Sequence, residues 1–577
     1  MIAVLVPAVI LIFIVAYRLY GRFLSRQFEL NDARPTPAVT RNDGLDYVPA
    51  KAGFLLGQHF SAIAAAGPIV GPIAAGMAYG WAPALLWIVL GAIFIGGVHD
   101  FTSLVASIRH QGASMGEIVK ANMSRTAYGL FLAFVWVCLV YVIIAFTDVT
   151  AQTFKTVSGG EAYGPAVAGS SMLYLVAGVA MGLILKRWPN RLALVTAVFV
   201  PLVLLIVWLG PNLPQPILDA FSSVGVKSWD VMLLAYCLVA SLIPMWLLLQ
   251  PRGYLGGWLL YLVVAVGLIG ALSGRFTINY PALIAPQGDD GWSVGALFGG
   301  AIPLLPMLFI TVACGACSGF HGIVSSGTTS KQLAKETDAR RVGYGAMLLE
   351  GLVAVLALAT VIMLAPADVG AAKADGPNVT YAKGIATYLE MFGLPFGVGL
   401  GFALLAFSTF VYDTLDVCTR LARYVFQEFT GLRGFTGGLI ATAATLMAPL
   451  AFLLSVEENA WKVAWNLFGA SNQLLASLTL MAVAVWWTGL GKKAWFVLAP
   501  MAFMMVMALW SLVVQTMPFW QGLGSLAQGG DGPTRNQSIV GVVGTLLLVL
   551  SVWLVVEAAL VVARRRAKAR AAAAAAR

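Results

Sequence analysis

Residues 57–76 read GQHFSAIAAAGPIVGPIAAG. The stretch is long and apolar enough to cross a bilayer, whose ~30 Å hydrocarbon core takes about 20 helical residues. Yet Gly67-Pro68 and Gly71-Pro72 fall in its middle. Proline has no amide hydrogen and its ring crowds the carbonyl four residues back, so the helix breaks there. Broken backbone at membrane depth survives only where protein or a watery cavity satisfies its polar groups. This stretch therefore reads as a discontinuous membrane helix inside a larger helical bundle.

The rest of the chain agrees. Of 577 residues, 60% are hydrophobic and only 10% charged, against about 25% charged in a soluble domain. Such a chain cannot cover a water-facing surface, which excludes soluble enzymes and nucleic-acid binders. Five cysteines provide no disulfide framework. The apolar N-terminus lacks a charged leader and is followed by Arg18, Arg22 and Arg26, so it reads as a retained anchor helix.

Apolar segments of spanning length lie near 2–20, 57–78, 84–108, 129–150, 163–185, 191–209, 230–249, 255–273, 296–318, 344–366, 396–416, 436–455, 464–488, 494–515 and 538–562. These fifteen runs are too long and too uniformly apolar for barrel strands. With the N-terminus outside, the cytoplasmic segments hold 28 of the 35 basic residues, as the positive-inside rule requires. A single missed span would scramble that alternation. The reading is an all-α polytopic protein of the cytoplasmic membrane, N-terminus outside and C-terminus inside. The final RRRAKARAAAAAAR is a basic, alanine-rich tail suited to anionic lipid.

A second region, from Ala296 to about Ser330, is too long for one straight span (about 50 Å at 1.5 Å per residue), and CGACSG (314–319) offers a break. Phe60-x-x-Ile63-x-x-x-Gly67 recurs as Phe320-x-x-Ile323-x-x-x-Gly327, and seven spans separate the two helices, which inverts their direction. Interrupted helices at matching places in inverted halves point to a secondary-transporter site. The expected division is an anchor helix and basic loop (1–56), a first five-helix repeat (57–209), two additional helices (210–295), a second, inverted five-helix repeat (296–488), two C-terminal helices (489–562) and the tail (563–577).

NDGLDYVP (42–49), GQHFSAIAAAGPIVGP (57–72), HDF (99–101), GASMGE (112–117), CSGFHGIVSSGTTSKQ (317–332), Asp416-x-x-Thr419-Arg420 and LFGASNQLLA (467–476) resemble the carbon starvation protein A (CstA) family. The resemblance spans about residues 20–515. His99 stands where many relatives carry Gln, and Cys317 replaces an apolar residue. The resemblance implies a cytoplasmic-membrane uptake transporter for peptides or pyruvate, induced on carbon starvation. It also implies a fold related to the inverted-repeat, LeuT-like symporters.

Ionisable side chains inside spans cost about 2.5–3.5 kcal/mol each on insertion scales and mark function. Here they are His59, His99, Asp100, His321, Glu350, Asp413 and Asp416, with Asp148 near an outer end. Asp100 leads as proton carrier, with His59 or His99 sharing the proton. The competing reading has Asp100 capping a helix or pairing with Arg109. Asp416 reads as a helix-surface partner of Arg420 four residues on. For a substrate carboxylate, freed backbone donors near Gly67, Pro68 and Gly71 are candidates. So are the side chains of His321, Ser325, Ser326, Thr328, Thr329, Asn472 and Gln473, although Ser, Thr and amide groups also clamp helices without any substrate. Ser408 and Thr409 are sodium ligands by fold analogy alone, so the coupling ion, proton or Na+, stays open. No other cofactor is expected.

Cys314-x-x-Cys317-x-x-x-His321 has metal-ligand residue types but no fourth ligand in sequence. An intramembrane metal- or thiol-dependent enzyme is the alternative, opposed by four histidines and no H-E-x-x-H; a nutrient sensor is a third. The missing G-x-x-x-x-G-K-[ST] stretch argues against ATP-driven transport by this chain. The expected partners are a small-molecule substrate and the lipid bilayer.

Overall fold

The computed structural model describes residues 2–44, 47–64, 66–284, 303–456 and 460–575. The boundary expected at Ala296 lies outside the described residues. Successive apolar helices are α1 (Ile2–Gln27), α2 (Ala52–Ile63), α3 (Gly67–Tyr79), α4 (Trp81–Arg109), α5 (Arg125–Thr153), α6 (Gly164–Arg187), α7 (Leu192–Leu209), α8 (Val226–Leu242) and α9 (Leu249–Leu272). They continue as α10 (Leu304–Val312), α11 (Gly319–Gly327), α12 (Gly345–Ile362), α13 (Pro377–Glu390), α14 (Phe396–Thr430), α15 (Gly434–Ser455), α16 (Ala460–Gly489), α17 (Trp495–Ala527) and α18 (Arg535–Ala575). Among the described residues, thirteen helices are long and apolar enough to cross a membrane, and fifteen if each of two bent pairs counts as one span. The upper figure is the number of apolar runs in the sequence.

Both expected interruptions are present. α2 and α3 meet at a 49° bend. α10 gives way to α11 through Ala313 (φ 41°) and an extended Ser318. The helix after each break carries a π-turn, at Ala92–Gly96 in α4 and at Arg340–Tyr344 just before α12. The two π-turns lie 248 residues apart (92 to 340). The 260-residue offset of the Phe-x-x-Ile-x-x-x-Gly pattern is therefore not the structural one. Phe60 precedes its break and Phe320 follows the other, so the match reflects two small-residue helices, not equivalent positions.

The two long helices α5 and α14 lie against each other at the centre. α5 packs on α15 and α16, and in mirrored fashion α14 packs on α8 and α9. α9 touches α2 as α16 touches α10. In these contacts α8 and α9 stand to α14 as α15 and α16 stand to α5, while α6 and α7 lie to the side. α7 buries only Val195, Phe199, Val203 and Ile206, one stripe of a peripheral helix. Hydropathy could not make the distinction, because α6–α7 and α8–α9 are both down-and-up pairs.

α13 was not expected at all. Its 14 residues are too short and polar to register as a span, yet Tyr381, Ile385 and Tyr388 form a buried stripe against α14, α12 and α9.

Candidate functional site

The two breaks meet. A Cβ on Gly67 would lie 2.5 Å from Cys314 Sγ, and one on Gly71 would lie 2.5 Å from the Val312 carbonyl oxygen and 2.6 Å from that of Thr311. The space left by both glycines is thus occupied by the other broken helix. Pro68 is buried beside them.

Asn472 on α16 completes the second break. Its Oδ1 accepts from the Phe320 amide (3.0 Å), one of the donors a helix start leaves unsatisfied. Its Nδ2 donates to Ser318 Oγ (3.0 Å) and toward Cys314 Sγ (3.4 Å). Next to it, Gln473 Nε2 donates to the Phe309 carbonyl. Both amides hold the broken helix in place. Among the described residues no three His, Cys, Asp or Glu side chains form a group suited to a metal ion, so Cys314, Cys317 and His321 do not assemble into one.

The ionisable residues converge beside the break. His99 Nδ1 lies 2.8 Å from Asp100 Oδ1, and His321 Nδ1 lies 2.8 Å from Asp100 Oδ2. On its other side His321 Nε2 approaches Glu350 Oε2 at 3.2 Å. All four side chains are fully buried. The chain His99–Asp100–His321–Glu350 joins α4 of the first unit to α11 and α12 of the second. Arg109 does not pair with Asp100; it pairs with Glu336 and bonds the Phe28 carbonyl. The π-turns hold the chain's helices together, since Tyr344 donates to the Ile93 carbonyl (3.3 Å) inside the first turn.

Elementary donor counting shows what this chain can do. An ionised Asp100 accepts from both Nδ1 atoms, so both must carry hydrogen. The remaining proton between His321 Nε2 and Glu350 then has two homes, as imidazolium facing carboxylate or as imidazole facing carboxylic acid.

The hydroxyls of α11 and of the turn that follows it divide sharply. Ser326, Thr328 and Ser330 donate to carbonyls one turn back, and Ser330 also accepts from Ser107 Oγ. Thr329 Oγ1 lies 2.9 Å from His59 Nδ1 on α2. Ser325 Oγ, His59 Nε2 and His99 Nε2 are buried with no hydrogen-bond partner. Ser408 Oγ lies 3.2 Å from Ser171 Oγ and donates to the Leu405 carbonyl, while Thr409 Oγ1 has no partner.

A second buried cluster was missed. Arg252, which falls between the apolar runs 230–249 and 255–273, is wholly buried in α9. It meets Asp413 Oδ1 through Nε at 2.9 Å and Asp416 Oδ2 through Nη2 at 2.7 Å. Asp416 is therefore not the surface partner of Arg420, which instead donates to the Ala240 and Ile243 carbonyls at the end of α8. The only sequence signal was that two carboxylates three residues apart in an apolar helix require a cation from elsewhere.

A multi-span bundle broken twice at one place, with a buried chain of ionisable side chains across the break, has the build of a membrane transporter. The sequence matches the family described as Carbon starvation protein CstA over residues 1–374 and 367–511. It is 31% identical to the peptide transporter CstA of Campylobacter jejuni, over 90% of this chain and 81% of that one. It is 32% identical to the peptide transporter CstA of Bacillus subtilis (87% and 88% covered), and 31% identical to the pyruvate/proton symporter BtsT of Escherichia coli (88% and 81%). Among solved structures, a manganese transporter of Eremococcus coleocola is similar at 13% identity and a TM-score of 0.46, covering 91% of this chain and 99% of that one. The chain belongs to the carbon starvation protein CstA family. It is a multi-pass membrane transporter of small nutrients and not an enzyme.

Proposed function

We propose that this protein is a secondary active importer of small carboxylate nutrients, pyruvate or short peptides, driven by a proton gradient and serving growth under carbon starvation. The observation that carries the reading is the buried His99–Asp100–His321–Glu350 chain, which crosses between the two units where both helices are broken. In alternating access one unit rocks against the other around such a site. A proton arriving on this chain changes the charge that α11 and α12 present to α4, so protonation and rocking are linked.

The substrate carboxylate is assigned to the unpartnered donors beside the chain, His59 Nε2 and Ser325 Oγ; His99 Nε2, whose ring hydrogen sits on Nδ1, is left as an acceptor. Each donor is buried on a helix that lines the break, and a buried donor without a partner costs about 1–3 kcal/mol until something accepts from it. His321 goes to the proton chain, since both its ring nitrogens face carboxylates. Of the remaining sequence candidates, Ser326, Thr328, Thr329, Asn472 and Gln473 support the backbone and the histidine, and Gly67, Pro68 and Gly71 support the helix contact.

The orientation goes with this reading: the basic loops and C-terminus face the cytoplasm, the N-terminus the outside. Uptake of labelled pyruvate into proteoliposomes under an inward proton gradient, with a dipeptide as competitor, tests the substrate. Accumulation that a protonophore abolishes and a dipeptide reduces supports a shared carboxylate site. Accumulation of neither compound contradicts it.

A further inference from the structure

Three arginines of α1 play no part in the transport reading. α1 lays one face on α9 and α12, and the buried residues Ile2, Val6, Val9, Phe13 and Leu24 mark that face. The opposite face looks away from the bundle, with Val4, Leu11 and Val15 exposed along it. At about 3.6 residues per turn, Arg18, Arg22 and Arg26 continue this outward stripe, and all three are exposed. A topology signal needs basic residues near the helix end but does not need them aligned on the lipid side.

Their depth is also specific. About 20 residues cross the hydrocarbon core, so counting from Ile2 the boundary falls near Gly21. Arg18 lies just inside it, and Arg22 and Arg26 follow at steps of about 6 Å. With Leu19, Phe23 and Gln27 they line a groove of about 400 Å³. On one side the Phe23 ring lies 5.9 Å from that of Trp495, which is exposed at the start of α17, as an indole at a membrane interface is. On the other side the Arg340 guanidinium stacks 5.3 Å from the Tyr17 ring centre and adds a fourth positive charge.

The acids at this end are engaged elsewhere. Glu29 pairs with Lys492 at 2.6 Å, Glu336 with Arg34 and Arg109, and Asp32 accepts from Thr337. Among the described residues, Arg18, Arg22 and Arg26 make no ion pair. Three guanidinium forks, whose donors match phosphate oxygens, thus stand unmet over about 12 Å of helix at the depth of lipid phosphates. We propose that this groove binds the headgroup of an anionic phospholipid in the leaflet at the basic end of the bundle. Arg18, Arg22 and Arg26 hold the phosphate, and an acyl chain covers Leu19, Val15 and Leu11. The occupant is a lipid and not a soluble phosphate, because the groove's deep end runs into an apolar stripe that a hydrated anion leaves bare. The site is apart from the basic tail and independent of the substrate and proton assignments.

Native mass spectrometry of the full-length protein in detergent, titrated with phosphatidylglycerol, phosphatidylethanolamine or glycerol 3-phosphate, tests the site. The wild type should retain phosphatidylglycerol in preference to phosphatidylethanolamine and bind glycerol 3-phosphate far more weakly than either lipid. Arg18→Gln, Arg22→Gln and Arg26→Gln should each weaken phosphatidylglycerol binding about fivefold, and the three together about 100-fold. Arg564→Gln with Arg566→Gln, in the tail, should change it by less than about twofold. The unfolding temperature checks each variant, and the single changes decide the matter if the triple variant is unstable. Equal retention of the two lipids by the wild type, glycerol 3-phosphate binding as tight as the lipid's, or phosphatidylglycerol binding indifferent to the single changes overturns the site. So does a loss as large in the tail variant as in the triple one.

Discussion

At the residue scale, the account depends on which buried polar atoms are satisfied. Asn472 holds both the Phe320 amide and Ser318. Asn472→Ala should lower stability by about 1–3 kcal/mol, the cost of leaving buried groups unpaired, seen as a lower unfolding temperature in detergent. Retained stability with lost substrate binding would move Asn472 back to the substrate site. His99, Asp100, His321 and Glu350 all stood out in the sequence as ionisable residues in apolar runs. Their contact did not, because His321 and Asp100 are 221 residues apart and hydropathy carries no information about which spans touch. Arg252 was hidden for a related reason: it sits four residues into α9, where the apolar window alone places a loop.

At the scale of elements, the broken helices were legible and their use of glycine was not. Gly-Pro pairs announce a break through the missing amide, but only the fold reveals that Gly71 admits the carbonyls of Thr311 and Val312. Gly71→Ala presses a methyl onto backbone that has no rotamer to escape into, and should cost about 1–3 kcal/mol as overpacking does. Gly129→Ala, with nothing within 4 Å, should leave the unfolding temperature unchanged. Equal effects of the two would contradict the contact between the breaks. The π-turns have no sequence signature, since each only adds one residue to a helical turn and the two, AIFIG and RRVGY, differ in composition. α13 escaped because its partners, not its hydropathy, keep it in place.

At the scale of the whole molecule, fifteen apolar runs and their charge alternation set the span count, while the grouping into units waited for packing. The basic end of the bundle also carries a tie. Glu336, 1% exposed, pairs with Arg109 and Arg34 and accepts from the Asn31 amide at 2.8 Å. Asp32 accepts from the Thr337 amide and hydroxyl at 3.0 and 2.9 Å. The loop after α1 is thereby strapped across the segment leaving α11. Glu336→Ala should raise amide exchange in both segments without altering exchange at α18, as local opening does. Uniformly raised exchange would mean a global loss of stability instead.

The central claim is that the Asp100 chain carries the proton that drives import. Its most direct test is accumulation of labelled pyruvate by proteoliposomes under an imposed inward proton gradient, comparing wild type with Asp100→Asn at matched folding and reconstitution. The account predicts uphill accumulation by wild type and only downhill equilibration by Asp100→Asn, since the amide cannot accept from both Nδ1 atoms and removes the negative charge that holds the proton shared by His321 and Glu350. Full gradient-driven accumulation by Asp100→Asn would contradict it.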